Sequence, residues 1–252
     1  MTGPGSPALD PGPRALLLDI EGTTTPIEFV RATLFPFARE RLAAFLGEHV
    51  ADPAVSADLD SLRAEHAREA AAEQPPPWHD GDRLASATAY LLWLMDRDRK
   101  STALKALQGR IWEAGYRTGS LRGPVYDDVP PALIRWKQEG RECCIFSSGS
   151  VLAQRLLFGH STAGDLTPLL AAFFDTTTGP KHEAGSYRRV AAARGREPRE
   201  WLFLSDVALE LDAAREAGMA TDLVVRPGRP EPVSPSHPVI RSFDALFSSR
   251  SA

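Results

Sequence analysis

Three apolar runs in this chain end in residues able to handle phosphate. ALLLDI (residues 15–20) delivers Asp19-Ile20-Glu21-Gly22-Thr23, ECCIFSS (142–148) delivers Ser147-Ser148-Gly149-Ser150, and WLFLSD (201–206) delivers Ser205-Asp206. Gly179-Pro180-Lys181 lies between the last two. Together these are three acids, one lysine and a hydroxyl-rich turn at a helix start, and the set suits phosphoryl transfer. A carboxylate such as Asp19 can attack phosphorus and form an aspartyl-phosphate. Two carboxylates and a backbone carbonyl can hold Mg²⁺, which prefers oxygen ligands and also binds the phosphate. Ser147 can hydrogen-bond a phosphoryl oxygen, and the N–H groups of Ser148 and Gly149, at a helix N-terminus, can bind an anion. Lys181 can offset the charge of nucleophile and phosphoryl group. Glu21 can protonate a leaving oxygen and later activate water.

Ligands of open α/β sheets bind at the carboxyl ends of the strands, so these residues need a parallel sheet behind them. The chain after residue 125 supplies one. PPALIRWKQEG (130–140) reads as a helix between proline and glycine, ECCIFSS as a strand, SVLAQRLLF (150–158) as a helix and AAFFDTT as a strand. SYRRVAAARG (186–195), WLFLSD, ALELDAAREAG (208–218) and DLVVRPG then read helix, strand, helix, strand. Strands alternating with helices imply a parallel sheet covered on both faces. The first strand, ALLLDI, lies far upstream, so the sheet is built from both ends of the chain.

Residues 28–125 between them carry helical periodicity. Pro36 suits the first turn of a helix running towards Leu46. Leu59, Leu62 and His66, then Leu84, Ala87, Leu91 and Leu94, then Leu104, Leu107 and Ile111 step by three and four, with Gly115 as a helix stop. QPPPWHDGD (74–82) is a loop. Residues 1–13, with four prolines and three glycines, read as a flexible tail. GPGSPA at Gly3–Ala8 matches a dinucleotide fingerprint only formally, because no strand precedes it. The proline-rich stretch 227–238 reads as a surface loop. The expected organisation is thus a tail (1–13), an α/β catalytic core with a Rossmann-like parallel sheet (14–27 and 126–252), and a helical insert (28–125).

Composition narrows the partners. Of the 252 residues 43% are hydrophobic and 25% charged, which describes a folded globular chain, and the net charge of −4 offers nothing to nucleic acid or an anionic membrane. No apolar run reaches the roughly 20 residues of a membrane span, and the N-terminus lacks a signal-peptide stretch. The two cysteines, Cys143 and Cys144, are adjacent within an apolar strand and read as small core residues, which fits a cytoplasmic protein.

Asp19-x-Glu21-Gly-Thr, the strand-terminal Ser147, Lys181, and Ser205-Asp206 followed by Glu210 resemble, in order and spacing, the four motifs of the haloacid dehalogenase superfamily, and the helical insert resembles its cap. Most members carry aspartate two residues after the nucleophile, where this chain has Glu21. LLLDIEGTTTPIEFV, SSGSVLAQRLLFGHSTAGDL, FFDTTTGPKHEAGSYRRV and LFLSDVALELDAAREAG are similar to the enolase-phosphatase family of methionine salvage, the acireductone synthases, over residues 14–246. The resemblance implies enolisation of 2,3-diketo-5-methylthiopentyl 1-phosphate, then dephosphorylation to the acireductone 1,2-dihydroxy-3-keto-5-methylthiopentene. It implies one Mg²⁺ per chain, held by Asp19, Glu21 (through its backbone carbonyl) and Asp206. It places Asp19 as nucleophile, Glu21 and Lys181 as further catalytic groups, and Ser147, Ser148 and Lys181 on the substrate phosphate, with Glu210 behind them. The remaining alternatives are a phosphatase of this superfamily for another small phosphomonoester, and a catalytically silent binding protein on the same fold. Arg226 reads as a surface or loop-anchoring arginine and His160 as structural. No heptad seam is present, and a monomer is the expected state.

Overall fold

The computed structural model describes residues 12–69, 73–99, 101–230, 233 and 235–247. Residues 1–11 of the expected tail, including Gly3–Ala8, lie outside these, as do Lys100 and positions 231, 232 and 234 of the proline-rich stretch. The chain divides into two compact units. One is formed by the chain up to Ile27 together with the chain from Gly123 onward, and the other is Glu28–Arg122.

The second unit is helical. A helical run opens as α1 (Ile27–Phe29), passes through a π-helical segment at Val30–Leu34 and continues as α2 (Phe35–His49), with Pro36 in the first turn of α2. The π segment has no signature in the apolar spacing. Its last carbonyl, on Leu34, accepts the Trp112 indole N–H at 2.8 Å. Side chains start the next helices: Asp52 caps α3 (Pro53–His66), Asp82 caps α4 (Arg83–Asp96) and Ser101 caps α5 (Thr102–Arg117), each accepting a backbone N–H of the first turn. Leu59, Leu62, Leu91, Leu94, Leu107 and Ile111, picked out by their spacing, are all buried, and Tyr90 and Trp93 stack at 5.5 Å inside the unit. Gly115 does not end α5. The helix runs on to Arg117, and a Cβ at Gly115 would meet the Phe37 ring at 2.5 Å, so its role is close packing. The left-handed glycine after the helix is Gly119, at φ 73°.

In the first unit β1 (Ala15–Leu18) has four buried residues, as befits a strand covered on both faces. After the insert, α6 (Val129–Gln138) leads to β2 (Glu142–Phe146), and α7 (Val151–Gly159) to β3 (Ala172–Phe174). Then α8 (Ala184–Ala193) leads to β4 (Trp201–Ser205), and α9 (Ala208–Glu216) to β5 (Ala220–Val224). A short edge strand, β6 (Val239–Ile240), pairs with β5; it lies just past the stretch read as loop. All pairings are parallel, in the order β3-β2-β1-β4-β5-β6. The chain leaves β1 for β2 on one side and returns to β4 on the other, so the switch point lies at β1 and β4. Leu18 stands level with Ile145 and with Leu204, which brings the ends of β1, β2 and β4 side by side.

Alternate residues sort to the two faces. Ala15, Leu17, Cys144, Phe146, Trp201 and Phe203 share a buried cluster with Tyr187 and Val190 of α8 and Leu211 and Ala214 of α9. Leu16, Leu18, Cys143, Ile145, Leu202 and Leu204 are buried too, with α6 packed on β2 and α7 on β3. The cysteines are free thiols, and burial pushes Cys143 up to about 12, which leaves it unreactive.

The chain rejoins this unit at Gly123, ahead of the expected 126. The Gly123 N–H donates to the His160 carbonyl at 3.0 Å, its carbonyl accepts from Thr162 at 2.9 Å, and the Tyr126 N–H reaches the Thr24 carbonyl at 3.1 Å. A Cβ at Gly123 would lie 2.5 Å from the Leu157 carbonyl oxygen, a backbone atom that cannot swing aside. Gly123→Ala is therefore expected to cost about 1–3 kcal/mol, as overpacking does. Urea unfolding checks this: the midpoint falls while the slope stays that of the parent protein.

Candidate active site

Asp19 is the first residue beyond β1, and its N–H still bonds the Leu204 carbonyl at 3.0 Å. The backbone then turns tightly. The Ile20 carbonyl accepts the N–H groups of Thr23, Thr24 and Thr25 at 3.2, 2.9 and 2.9 Å, with Gly22 in the left-handed region at φ 74°. The Thr24 hydroxyl donates to the Asp19 carbonyl at 3.0 Å, and the Thr23 hydroxyl accepts the Asp206 N–H at 3.0 Å. A Cβ on Gly22 would fall inside the Asp206 carboxylate, so glycine is required here for close approach as well as for backbone conformation.

Lys181 arrives from the β3–α8 connection. Its Nζ donates to Asp19 Oδ1 and to Glu210 Oε2, both at 2.6 Å, with all three side chains largely buried. Its backbone is clamped, as the Tyr187 hydroxyl donates to the Lys181 carbonyl and the Ser186 hydroxyl to the Pro180 carbonyl, both at 2.7 Å. The rings of Phe146 and Phe203 lie 5.7 and 6.0 Å from Nζ. Burial works against the ammonium, but the charges of Asp19 and Glu210 outweigh it and raise the lysine pKa. Burial and the charge of Asp19 push the Glu210 carboxyl up to about 7. Ser205, fully buried at the end of β4, places its hydroxyl 3.1 Å from Glu210 Oε2 and 3.4 Å from Asp19 Oδ2, and accepts the Val207 N–H at 3.1 Å.

Asp206 is desolvated beside Asp19, and both effects raise its carboxyl to about 6, although Arg229 approaches Oδ2 at 3.3 Å. Glu21 is half-buried, and its backbone bridges to Thr25. Ser147 is buried beyond β2, its N–H on the Phe174 carbonyl at 3.2 Å, and Ser148 beside it is exposed. Ser150 caps α7. Of the two N–H groups expected to bind an anion at this turn, that of Gly149 is already engaged, on Ser147 Oγ at 3.2 Å. The Val151 N–H at the helix start is also taken, by Asp175 Oδ2 at 3.1 Å. The fully buried Gln154 fixes the turn from below through the Gly149 and Phe174 carbonyls, at 2.7 and 2.8 Å.

The structure thus joins Asp19, Lys181 and Glu210 in one ion-paired cluster, with Asp206 alongside. Sequence reading carries Thr23 and Ser205 within the strand-end motifs but gives them no task, and it does not single out Thr24. The run of three threonines after Gly22 is the only hint, and it gains meaning only from the turn geometry. Arg226, read as a surface or loop-anchoring arginine, is not at the surface: it is buried and anchors this turn through the Thr23 carbonyl at 2.8 Å. Among the described residues no three histidine, cysteine, aspartate or glutamate side chains gather into a metal site. The Asp206 carboxylate lies against Gly22, where a Cβ would meet it at 2.2 Å, and feels the charge of Asp19; such an all-oxygen set, completed by a backbone carbonyl, phosphate and water, fits Mg²⁺ better than a softer metal.

Residues 13–218 match the model of the haloacid dehalogenase-like hydrolases, and the chain belongs to that class of enzymes. Curated relatives refine this. The chain is 55% identical to Enolase-phosphatase E1 of Synechococcus elongatus, over 92% of this chain and 96% of the relative. It is 51% identical to Enolase-phosphatase E1 of Sorangium cellulosum, over 92% and 97%. Within the class, the chain is a member of the enolase-phosphatase family. Among solved structures, the UTR4 protein of Saccharomyces cerevisiae superposes with a TM-score of 0.77 at 35% identity, covering 93% of this chain and all of that one. A dehalogenase at 20% identity and a TM-score of 0.53 shares the fold.

The carboxyl of Glu210 holds its proton more tightly folded than unfolded. Its contribution to stability is therefore complete below its ordinary value of 4.5 and is lost as pH rises through about 7. Glu210→Gln removes that loss. Thermal unfolding in EDTA between pH 4.5 and 8 is expected to show the parent protein losing stability relative to the variant as pH rises. Parallel curves would mean that Glu210 is not perturbed.

Proposed function

We propose that this chain is a Mg²⁺-dependent enolase-phosphatase that enolises 2,3-diketo-5-methylthiopentyl 1-phosphate and then hydrolyses its phosphate to yield the acireductone. The observation that carries this reading is the Lys181 ammonium held on Asp19 Oδ1 beside the Asp206 carboxylate, in a chain about half identical to curated enolase-phosphatases.

Asp19, Asp206 and the Glu21 carbonyl would hold Mg²⁺, which when bound supplies Lewis-acid stabilisation of negative oxygen. The remaining chemistry belongs to the chain. Enolisation breaks a C1–H bond, whose proton passes to a base of the site, and Lys181 is a fixed positive charge, first for the enediolate oxygen so formed and then for the phosphoryl oxygens, that needs no reorganisation as that charge develops. The salt bridge from Oδ1 orients the Asp19 carboxylate for attack on phosphorus. The new bond joins an Asp19 oxygen to phosphorus as the bond from phosphorus to the enol oxygen breaks, and Glu21 gives its carboxyl proton to that oxygen. Glu21 then takes a proton from the water that attacks the aspartyl-phosphate, which frees inorganic phosphate and restores Asp19. Ser147 and Ser148 bind the substrate phosphate at the start of α7.

No helix among the described residues is long and apolar enough to cross a membrane. The buried free cysteines favour a cytoplasmic enzyme, and the lack of a heptad seam in the sequence favours a monomer, acting on a small phosphorylated diketone.

An anaerobic assay with 2,3-diketohexane 1-phosphate, following enediol absorbance and inorganic phosphate together, tests the function. Both signals are expected with Mg²⁺ and neither with EDTA. Phosphate from simple monoesters alone would sink the enolase half. In the same assay Asp19→Asn is expected to release no phosphate, and Lys181→Met to lower kcat by about 10²–10³-fold, the scale of losing one preorganised charge stabiliser.

A further inference from the structure

Arg226 follows β5 and is 3% exposed, an unusual place for a guanidinium. Its Nη1 pairs with Asp128 Oδ2 at 2.6 Å, and its Nε donates to the Thr23 carbonyl at 2.8 Å. The Tyr126 and Phe243 rings lie 4.3 and 4.5 Å from its central carbon. Asp128 is itself held, since its Oδ2 also accepts the Phe243 N–H at 2.7 Å. The guanidinium thus has a paired charge, aromatic contacts and a fixed direction, and that direction points one donor at the turn after the nucleophile.

The connection continues to the site. Thr23, whose carbonyl Arg226 holds, accepts the Asp206 N–H through its hydroxyl at 3.0 Å, while the neighbouring Gly22 sits directly against the Asp206 carboxylate. One turn beyond Arg226, the Arg229 N–H bonds the Arg226 carbonyl at 3.1 Å and the Arg229 side chain reaches Asp206 Oδ2 at 3.3 Å. The path from Asp128 through Arg226 and Thr23 to Asp206 uses side-chain and backbone groups within one compact unit.

We propose that Arg226 is a positioning residue for Mg²⁺ binding. By fixing the Thr23 carbonyl it sets the Thr23 hydroxyl, and through it the place of Asp206 relative to Asp19. It touches neither substrate nor metal. The proposal rests on the reading of Asp206 as a metal ligand. Lysine at position 226 keeps the charge but has a single nitrogen, so it cannot hold Asp128 and Thr23 in the same fork.

The test is direct Mg²⁺ binding by calorimetry, with thermal unfolding of the metal-free protein alongside. Arg226→Lys is expected to raise the Mg²⁺ dissociation constant by about tenfold or more, the scale seen when groups that orient metal ligands are lost. Thr23→Val, which removes only the acceptor for the Asp206 N–H, should do the same, and Thr23→Ser should restore binding. The two effects should be less than additive when combined, since they act on one path. If Arg226→Lys does not fold, the Thr23 pair still decides. Unchanged Mg²⁺ affinity in folded Arg226→Lys or Thr23→Val, with Asp206→Asn abolishing binding, would overturn the positioning role and leave the site reading standing. Intact Mg²⁺ binding in Asp206→Asn would remove both.

Discussion

An ammonium buried as deeply as that of Lys181 needs negative charge within hydrogen-bond reach, because desolvating a cation unpaired costs more than a fold of this size can spare. Two carboxylates answer it, Asp19 from the end of β1 and Glu210 from the first turn of α9. That pairing constrains the rest. β1 must lie beside β4, α9 must pack on the face that carries Leu17 and Phe203, and the loop bearing Lys181 must be clamped from behind by Tyr187 and Ser186. The charges survive burial because they are shared, and sharing fixes where each can be.

Around this cluster the backbone does much of the positioning. Thr24 spends its hydroxyl on the carbonyl of Asp19 and Thr23 on the N–H of Asp206, so one short turn ties the ends of two strands together. At the start of α7, the N–H groups of Gly149 and Val151 are committed to Ser147 and Asp175. Recognition of a phosphate at that edge falls to the serine side chains and the remaining backbone more than to the helix terminus as a whole. The site is organised by short polar contacts, several of which join residues far apart in sequence: Lys181 with Asp19, Thr23 with Asp206 and Ser205 with Asp19.

Much of this was legible in the residues alone. Apolar runs ending in Asp19, Ser147 and Asp206 announce strands and the edge at which they act, because a parallel strand covered on both faces has to be apolar until it emerges. What stayed hidden depends on partners far away in sequence. The π-helical widening at Val30–Leu34 leaves the apolar spacing unbroken, and the carbonyl of Leu34 is met by an indole from another helix. Gly115 and Gly119 are both plausible helix ends by type, and only the Phe37 ring against Gly115 separates packing from stopping. The two-residue β6 is too short to carry a pattern. Arg226 looks like a loop arginine because nothing nearby in sequence tells that Asp128, Tyr126 and Phe243 close over it.

The central strand of the sheet is also the first to be made. β1 precedes the whole of the Glu28–Arg122 unit, and both strands that flank it come after. During synthesis the helical unit can complete its local contacts while β1 has no partner on either edge, and contacts between distant segments of a chain form late. Asp19 is therefore carried through most of translation as an ordinary solvated carboxylate, without the lysine that orients it or the second acid that shares its site. Chemistry arrives only when Lys181 and then Asp206 and Glu210 have been delivered. A chain cut short ahead of Asp206 would contain an intact nucleophile and no enzyme.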